Sequence, residues 1–88
     1  MLTDKEKEIL IITAEECGEV VQAVSKLLRF GKENVAAYSN VDRLNQEVGD
    51  LLCMVDLLIE FGIINQEAAW KSAKDKRLRL ENYSSIFE

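Results

Sequence analysis

Two short acidic motifs are the part of the sequence best suited to chemistry. The first reads Glu-Glu-Cys-Gly-Glu over residues 15–19, and the second reads Glu-Val-Gly-Asp over residues 47–50. In each motif, two acids lie three positions apart and a glycine directly precedes the second acid. Residues three apart share one face of an α-helix. Each motif therefore places a pair of carboxylates on one side of its helix.

The two pairs predict a metal site. Glu16 and Glu19 form the pair on the first segment, and Glu47 and Asp50 form the pair on the second. If the two helices pack together, four carboxylates converge, and such a group resists burial unless cations join it. Ligands that are all oxygen suit a hard divalent ion, above all Mg²⁺, with Mn²⁺ as a substitute.

The glycines of the two motifs need a reason of their own. Gly31 and Gly62 follow apolar helical runs, where a glycine commonly ends a helix. Gly18 and Gly49 instead fall inside helical runs, where glycine costs about 1 kcal/mol relative to alanine. We therefore expect another backbone or a ligand to come close to the chain at Gly18 and Gly49.

Composition narrows the function. The 88 residues contain no histidine and carry a net charge of −5. Acid–base schemes that use imidazole are therefore excluded, and a general nucleic-acid binder or a binder of anionic membranes, which would usually be basic, is disfavoured. A zinc site is disfavoured because the sequence has no histidine and no Cys-x-x-Cys. Cys17 and Cys53 are therefore expected to be buried, reduced thiols of a cytoplasmic protein.

The chain is expected to be all-α. Hydrophobic residues make up 48% of it and proline is absent, which is typical of a helical protein with apolar surface left for a subunit interface. Helices are predicted over residues 4–29, 40–61 and 66–82. Their N-caps are Thr3, Ser39 and Asn65. Residues 33–38 are predicted to form a loop or one helical turn. The prediction is one domain, residues 1–88, as an antiparallel bundle of three main helices, completed to four by a short helix or by dimerisation.

Other residues are open to more than one interpretation. Lys74 and Arg77 lie three apart on the third helix and either face polyphosphate oxygens or belong to a solvated exterior. Trp70 is expected to anchor a core or an interface. Asp56 lies within an apolar run, where it makes an interface hydrogen bond, selects a substrate or is simply half-exposed.

The two motifs together resemble the signature of the all-α nucleoside triphosphate pyrophosphatase superfamily. Its pattern is Glu-Glu-x-x-Glu, a spacer and Glu-x-x-Asp on two antiparallel helices, and the Glu-x-Gly-Glu form of the first half is similar to that of MazG-like proteins. The likeness covers roughly residues 3–83. Relatives often end in Tyr-Pro, whereas no proline follows Tyr83 here. The chain is short even for a MazG-like domain, which favours a compact, stand-alone enzyme over a fragment with a second domain.

This resemblance implies hydrolysis of a (deoxy)nucleoside triphosphate to the monophosphate and pyrophosphate by a homodimer or homotetramer. The residues that match the family's Mg²⁺ ligands are Glu16, Glu19, Glu47 and Asp50. Glu15 matches the first acid of the doublet and is the candidate for activating the attacking water, with Glu16 as a second catalytic candidate. The candidate phosphate contacts are Lys26, Lys74, Arg77 and Asn82.

Two other functions compete with this one. The first is a non-catalytic helical module that binds a metal or a partner and drives oligomerisation. The second is a di-iron carboxylate bundle, which the absence of any Glu-x-x-His disfavours.

Overall fold

The computed structural model describes residues 1–32 and 39–88, which form three α-helices and, within those two ranges, no strand. The helices are α1 (Asp4–Phe30), α2 (Asn40–Glu60) and α3 (Gln66–Tyr83). The prediction of an all-α chain is confirmed, and each predicted helix end lies within one residue of the observed end. The loop or helical turn predicted over residues 33–38 falls outside the described residues.

Each helix begins at the predicted N-cap residue. At α1, the Thr3 hydroxyl accepts from the Glu6 backbone N–H at 3.1 Å while the Glu6 carboxylate accepts from the Thr3 N–H at 2.9 Å. Ser39 and Asp42 form the same reciprocal pair at α2, and the Asn65 side chain accepts from the Ala68 N–H at 2.9 Å at α3. These bonds satisfy helix N–H groups that have no partner within the helix.

Helices α1 and α2 pack against each other as an antiparallel hairpin. At one end, Ile9 of α1 is buried with Met54 and Leu58 of α2. At the other end, the Asn40 side chain donates to the Gly31 carbonyl at 3.0 Å. The start of α1 thus lies beside the end of α2, and these two anchoring regions fix the rotation of the helices in between.

Helix α3 is attached at its start but is hardly packed. The backbone N–H groups of Ile63 and Ile64 donate to the Leu58 carbonyl at 2.9 and 3.1 Å, and both side chains rest on the core. Beyond this turn, no residue of α3 itself is buried. The orientation of α3 therefore depends little on contacts within the chain.

The single chain is more extended than a compact domain of its size. Its radius of gyration is 16.0 Å, against about 12 Å expected for a compact domain of this length. Its accessible surface is 7010 Å², against about 5,200 Å² for a folded monomer of this mass. The exposed large apolar side chains include Ile11, Val21, Leu28, Phe30, Leu52, Trp70 and Leu78. The composition predicted more apolar surface than one chain can bury, and these side chains are exposed on the single chain.

Two sequence expectations are wrong at the level of the single chain. Cys17 and Cys53 are free thiols, but both are exposed rather than buried, because no other element of the described chain covers the helix faces on which they lie. A Cβ atom added at Gly18 or Gly49 would meet nothing within 4 Å, so no other backbone of the described residues comes close there, and the alternative of a ligand stays a prediction. Helical periodicity identified apolar faces but could not show which of them are covered.

Among the residues that the model describes, no helix combines the length and apolarity that crossing a bilayer would require.

The open space at Gly49 predicts a gain in stability on substitution. Gly49→Ala should raise the free energy of unfolding by about 1 kcal/mol, because the helix gains propensity and nothing is displaced. Urea denaturation followed by circular dichroism, in the presence of chelator, measures this. The matched control is Gly31→Ala, which should lose stability because Gly31 has φ 81° and ψ 178°, a region that alanine rarely adopts. A loss of stability in Gly49→Ala would contradict the prediction.

Candidate metal centre

Three carboxylates converge between α1 and α2. Glu16, Glu47 and Asp50 each offer one oxygen, and these oxygens lie within 4.8 Å of one another. The three differ in exposure: Glu47 is buried, Glu16 is half-buried and Asp50 is exposed. The group therefore has a fixed floor at Glu47 and an open side at Asp50, through which an ion could enter.

The helix periodicity explains why Glu47 is buried. Met54 and Leu58, which lie seven and eleven residues further along α2, are buried with it, and these spacings return to the same face of a helix. Glu47 thus occupies a position in the stripe that packs on α1, where an apolar residue would be expected. Glu47 is only 5% exposed, so the charge of its carboxylate has to be offset by neighbouring cations or hydrogen-bond donors.

Glu19 does not join this group; it pairs with Arg43. The Arg43 guanidinium reaches Glu19 Oε2 through Nη2 at 3.5 Å and Glu47 Oε1 through Nε at 3.3 Å. One cation therefore bridges the two helices and contacts one acid of each motif. The structure brings together three of the four predicted metal ligands and holds the fourth beside them.

Arg43 was not among the residues singled out from the sequence. Half of its role was visible there, because Arg43 lies four residues before Glu47 on one helix, a spacing at which opposite charges pair. The other half, the contact with Glu19, depends on how α1 and α2 are rotated against each other. No local spacing contains that information.

Desolvation and the neighbouring acids together raise the pKa of Glu16. Its pKa is raised first by desolvation and then by the negative charges of Asp50, Glu47, Glu19 and Glu15. A raised carboxyl pKa means that the ionised form is disfavoured at this position. A cation placed among these oxygens would reverse that preference, and oxygen ligands of this type suit Mg²⁺ or Mn²⁺. The donor set therefore fits a hard divalent ion.

The remaining candidates lie on the surface. Glu15 and Lys26 are exposed on α1, and Lys74, Arg77 and Asn82 are exposed on α3. Within residues 1–32 and 39–88, the ion pairs to the acidic motifs come from Arg43 and not from these three cations. The assignment of Lys26, Lys74, Arg77 and Asn82 as phosphate contacts stays a prediction.

Two α3 residues and Asp56 have surroundings that bear on the earlier alternatives. The Arg77 guanidinium lies 4.5 Å from the centre of the Phe87 ring. Trp70 is 64% exposed, so the single chain does not use it as a core anchor. Asp56 is exposed and, with Trp70, lines a cleft of about 220 Å³ between α2 and α3. An interface contact and a substrate contact are both compatible with this position.

A pair of antiparallel helices that presents three carboxylates at one point defines a class of all-α protein built around an acidic centre. Comparison with known families identifies the group more closely. The family model of the MazG nucleotide pyrophosphohydrolase domain matches residues 4–80. The chain therefore belongs to this family. The comparisons with curated proteins and with solved structures gave no match.

The raised pKa of Glu16 predicts how stability varies with pH without metal. Between the unfolded and the raised folded pKa, the folded state holds more protons, so Glu16 lowers stability as pH rises through that window. Glu16→Gln removes this contribution, and the variant should become progressively more stable relative to the wild type as the pH rises from about 4, near the ordinary carboxyl pKa, through the raised pKa of Glu16. Urea denaturation with chelator at several pH values measures the difference.

The control for this experiment is Glu8→Gln, an exposed acid on the same helix. Glu8→Gln removes one negative charge from α1 outside the group of Glu16, Glu47 and Asp50, so it accounts for the loss of a charge alone. A Glu16→Gln difference that is flat with pH, or that falls as pH rises, would contradict the assignment.

Proposed function

We propose that this protein hydrolyses a (deoxy)nucleoside triphosphate to the monophosphate and pyrophosphate, with Mg²⁺ as its cofactor and Mn²⁺ as a substitute. The observation that carries the proposal is the convergence of Glu16, Glu47 and Asp50 within 4.8 Å in a chain of the MazG nucleotide pyrophosphohydrolase family. An acidic centre attracts a highly anionic triphosphate only when cations are bound there. The donor set and the family therefore point to the same chemistry.

The proposed ligands are the three converging acids together with Glu19. When bound, the divalent ion supplies positive charge that offsets the phosphate oxygens as pyrophosphate leaves. Glu47 holds its position because it is buried and paired with Arg43 at 3.3 Å. Glu16 and Asp50 remain accessible enough to meet the incoming triphosphate.

Glu15 is the proposed general base. It lies next to Glu16 on α1 and is exposed, and it is close enough to contribute to the raised pKa of Glu16. In the proposed step, the Glu15 carboxylate orients a water molecule and accepts its proton as the oxygen attacks the α-phosphorus. Lys26, Lys74, Arg77 and Asn82 are proposed to contact the substrate as donors to phosphate oxygens.

We also propose that the working unit contains a second copy of the chain. The support is the surplus of accessible surface described above and a stripe of exposed apolar or small residues on α1, turned away from α2: Ile11, Ala14, Gly18, Val21 and Leu28. Gly18 lies within this stripe, and small residues allow two helices to approach closely. A second copy packed there would use the open space at Gly18.

The competing function is a non-catalytic helical module that binds a metal or a partner. Such a module would bind the ion and associate but would release no pyrophosphate. The preferred base and sugar are best found with a panel of canonical and modified (deoxy)nucleotides, assayed for pyrophosphate with Mg²⁺ and with chelator.

Loss of Asp50 should abolish activity without harming the fold. Asp50→Asn removes a ligand and also a repulsive charge, so pyrophosphate release with Mg²⁺ should fall by about 10²-fold or more, while the metal-free variant unfolds at an equal or higher temperature. Isothermal titration with Mn²⁺ should show weakened binding. Glu81→Gln, at an exposed α3 position, is the control and should match the wild type. Full activity in Asp50→Asn would remove this residue from the mechanism.

A second copy predicts that association depends on the α1 stripe. Sedimentation equilibrium of the wild type should give a mass of two or four chains, and Val21→Lys should shift it towards the single chain of 10.0 kDa, because a lysine would have to be buried in an apolar contact. Asn45→Lys introduces the same charge at an exposed polar position of α2, outside the α1 stripe, and should leave the mass unchanged. A wild type that sediments as one chain at all concentrations would refute the proposal.

A further inference from the structure

The acidic centre already contains a cation of its own, the Arg43 guanidinium. It contacts Glu47 and Glu19 through two different nitrogens, Nε and Nη2. We propose that Arg43 is a positioning residue that holds Glu19 aside while no metal is bound, and that Glu19 leaves Arg43 to complete the centre when a divalent ion binds. This inference rests on the proposed metal-dependent function.

The two contacts of Arg43 are unequal, and burial shows which one can open. The Glu47 side chain is 6% exposed, whereas the Glu19 side chain is 42% exposed. Water can replace the guanidinium at Glu19 at little cost, since a half-exposed ion pair is weak. Water cannot reach Glu47 as easily, and removing its cation would leave a buried charge without compensation. The contact with Glu47 therefore persists while the contact with Glu19 is released.

Glu19 needs only a side-chain rotation to change partners. It lies one helical turn from Glu16 on the same side of α1, so a different side-chain rotamer directs its carboxylate towards the ion. The arrangement also leaves an oxygen available on the buried acid, because Glu47 Oε1 faces Arg43 and a carboxylate has two oxygens. Arg43 can thus stay on Glu47 without removing it from the metal centre.

The exchange has a thermodynamic consequence. Binding the ion breaks one ion pair, so Arg43 competes with the metal for Glu19 and weakens metal affinity. By linkage, the metal must weaken the contribution of Arg43 to folding to the same extent. Arg43 also repels the ion through its charge alone, and a variant at Glu19 is needed to separate this general repulsion from competition for one carboxylate.

The test is a double-mutant cycle on Mn²⁺ affinity. Wild type, Arg43→Gln, Glu19→Gln and the double variant are titrated with Mn²⁺ in the absence of nucleotide, and free Mn²⁺ is measured by electron paramagnetic resonance. Arg43→Gln should tighten binding about two- to fivefold more when Glu19 is present than when it is combined with Glu19→Gln, the range expected for a half-exposed ion pair. The second readout is thermal unfolding: the loss of melting temperature caused by Arg43→Gln should be smaller with saturating Mn²⁺ than with chelator.

Arg43→Lys provides a second variant, which keeps the charge and is expected to fold if Arg43→Gln does not. Lysine has one compact ammonium group in place of the two-armed guanidinium, so it should hold Glu47 and also tighten Mn²⁺ binding when Glu19 is present. Equal tightening by Arg43→Gln with and without Glu19 would show that only charge matters and would overturn the inference. Weaker Mn²⁺ binding on loss of Arg43 would overturn it as well. No Mn²⁺ binding by the wild type, with or without nucleotide, would refute the proposed function itself.

Discussion

The burial of one carboxylate, that of Glu47, is the constraint on which the rest of the arrangement depends. Glu47 lies in the stripe of α2 that packs on α1, in line with Met54 and Leu58, and nothing apolar can stabilise its charge there. Arg43 offsets part of that charge from one side, while Glu16 and Asp50 add further negative charge from the other. The apolar contacts at one end of the hairpin and the bond from Asn40 to Gly31 at the other hold this unfavourable group together.

The residues that make the centre are also the ones that weaken the fold. Three carboxylates at one point, an acid in a core position and a glycine in the middle of each of the two helices all lower the stability of the metal-free chain. The buried apolar core is small, consisting of Ile9, Met54 and Leu58 with half-buried neighbours. Such a chain relies on whatever binds to it, and an ion or a second copy that binds only the folded state would add stability by mass action.

The sequence was most informative where structure is decided locally. Helix ends and capping boxes at Thr3 and Ser39 follow from a few neighbouring residues, and they were predicted correctly. The acids that share a helix face were also recognisable. The contact between Arg43 and Glu19 was not, because it depends on the rotation of one helix against another. The exposure of Cys17 was mispredicted for a related reason: periodicity marks an apolar face but does not say whether the same chain covers it.

Because the connection between α1 and α2 is short, the hairpin is expected to close before the chain associates with another molecule. Only residues 31–39 separate the two helices, so closing the hairpin costs little chain entropy, and contacts between segments close in sequence form quickly. The acids of both motifs therefore meet within a single newly made chain, at a rate that does not depend on how many other chains are present. Association with another molecule through α3 or the outer face of α1 would follow this step. Its rate would obey second-order kinetics.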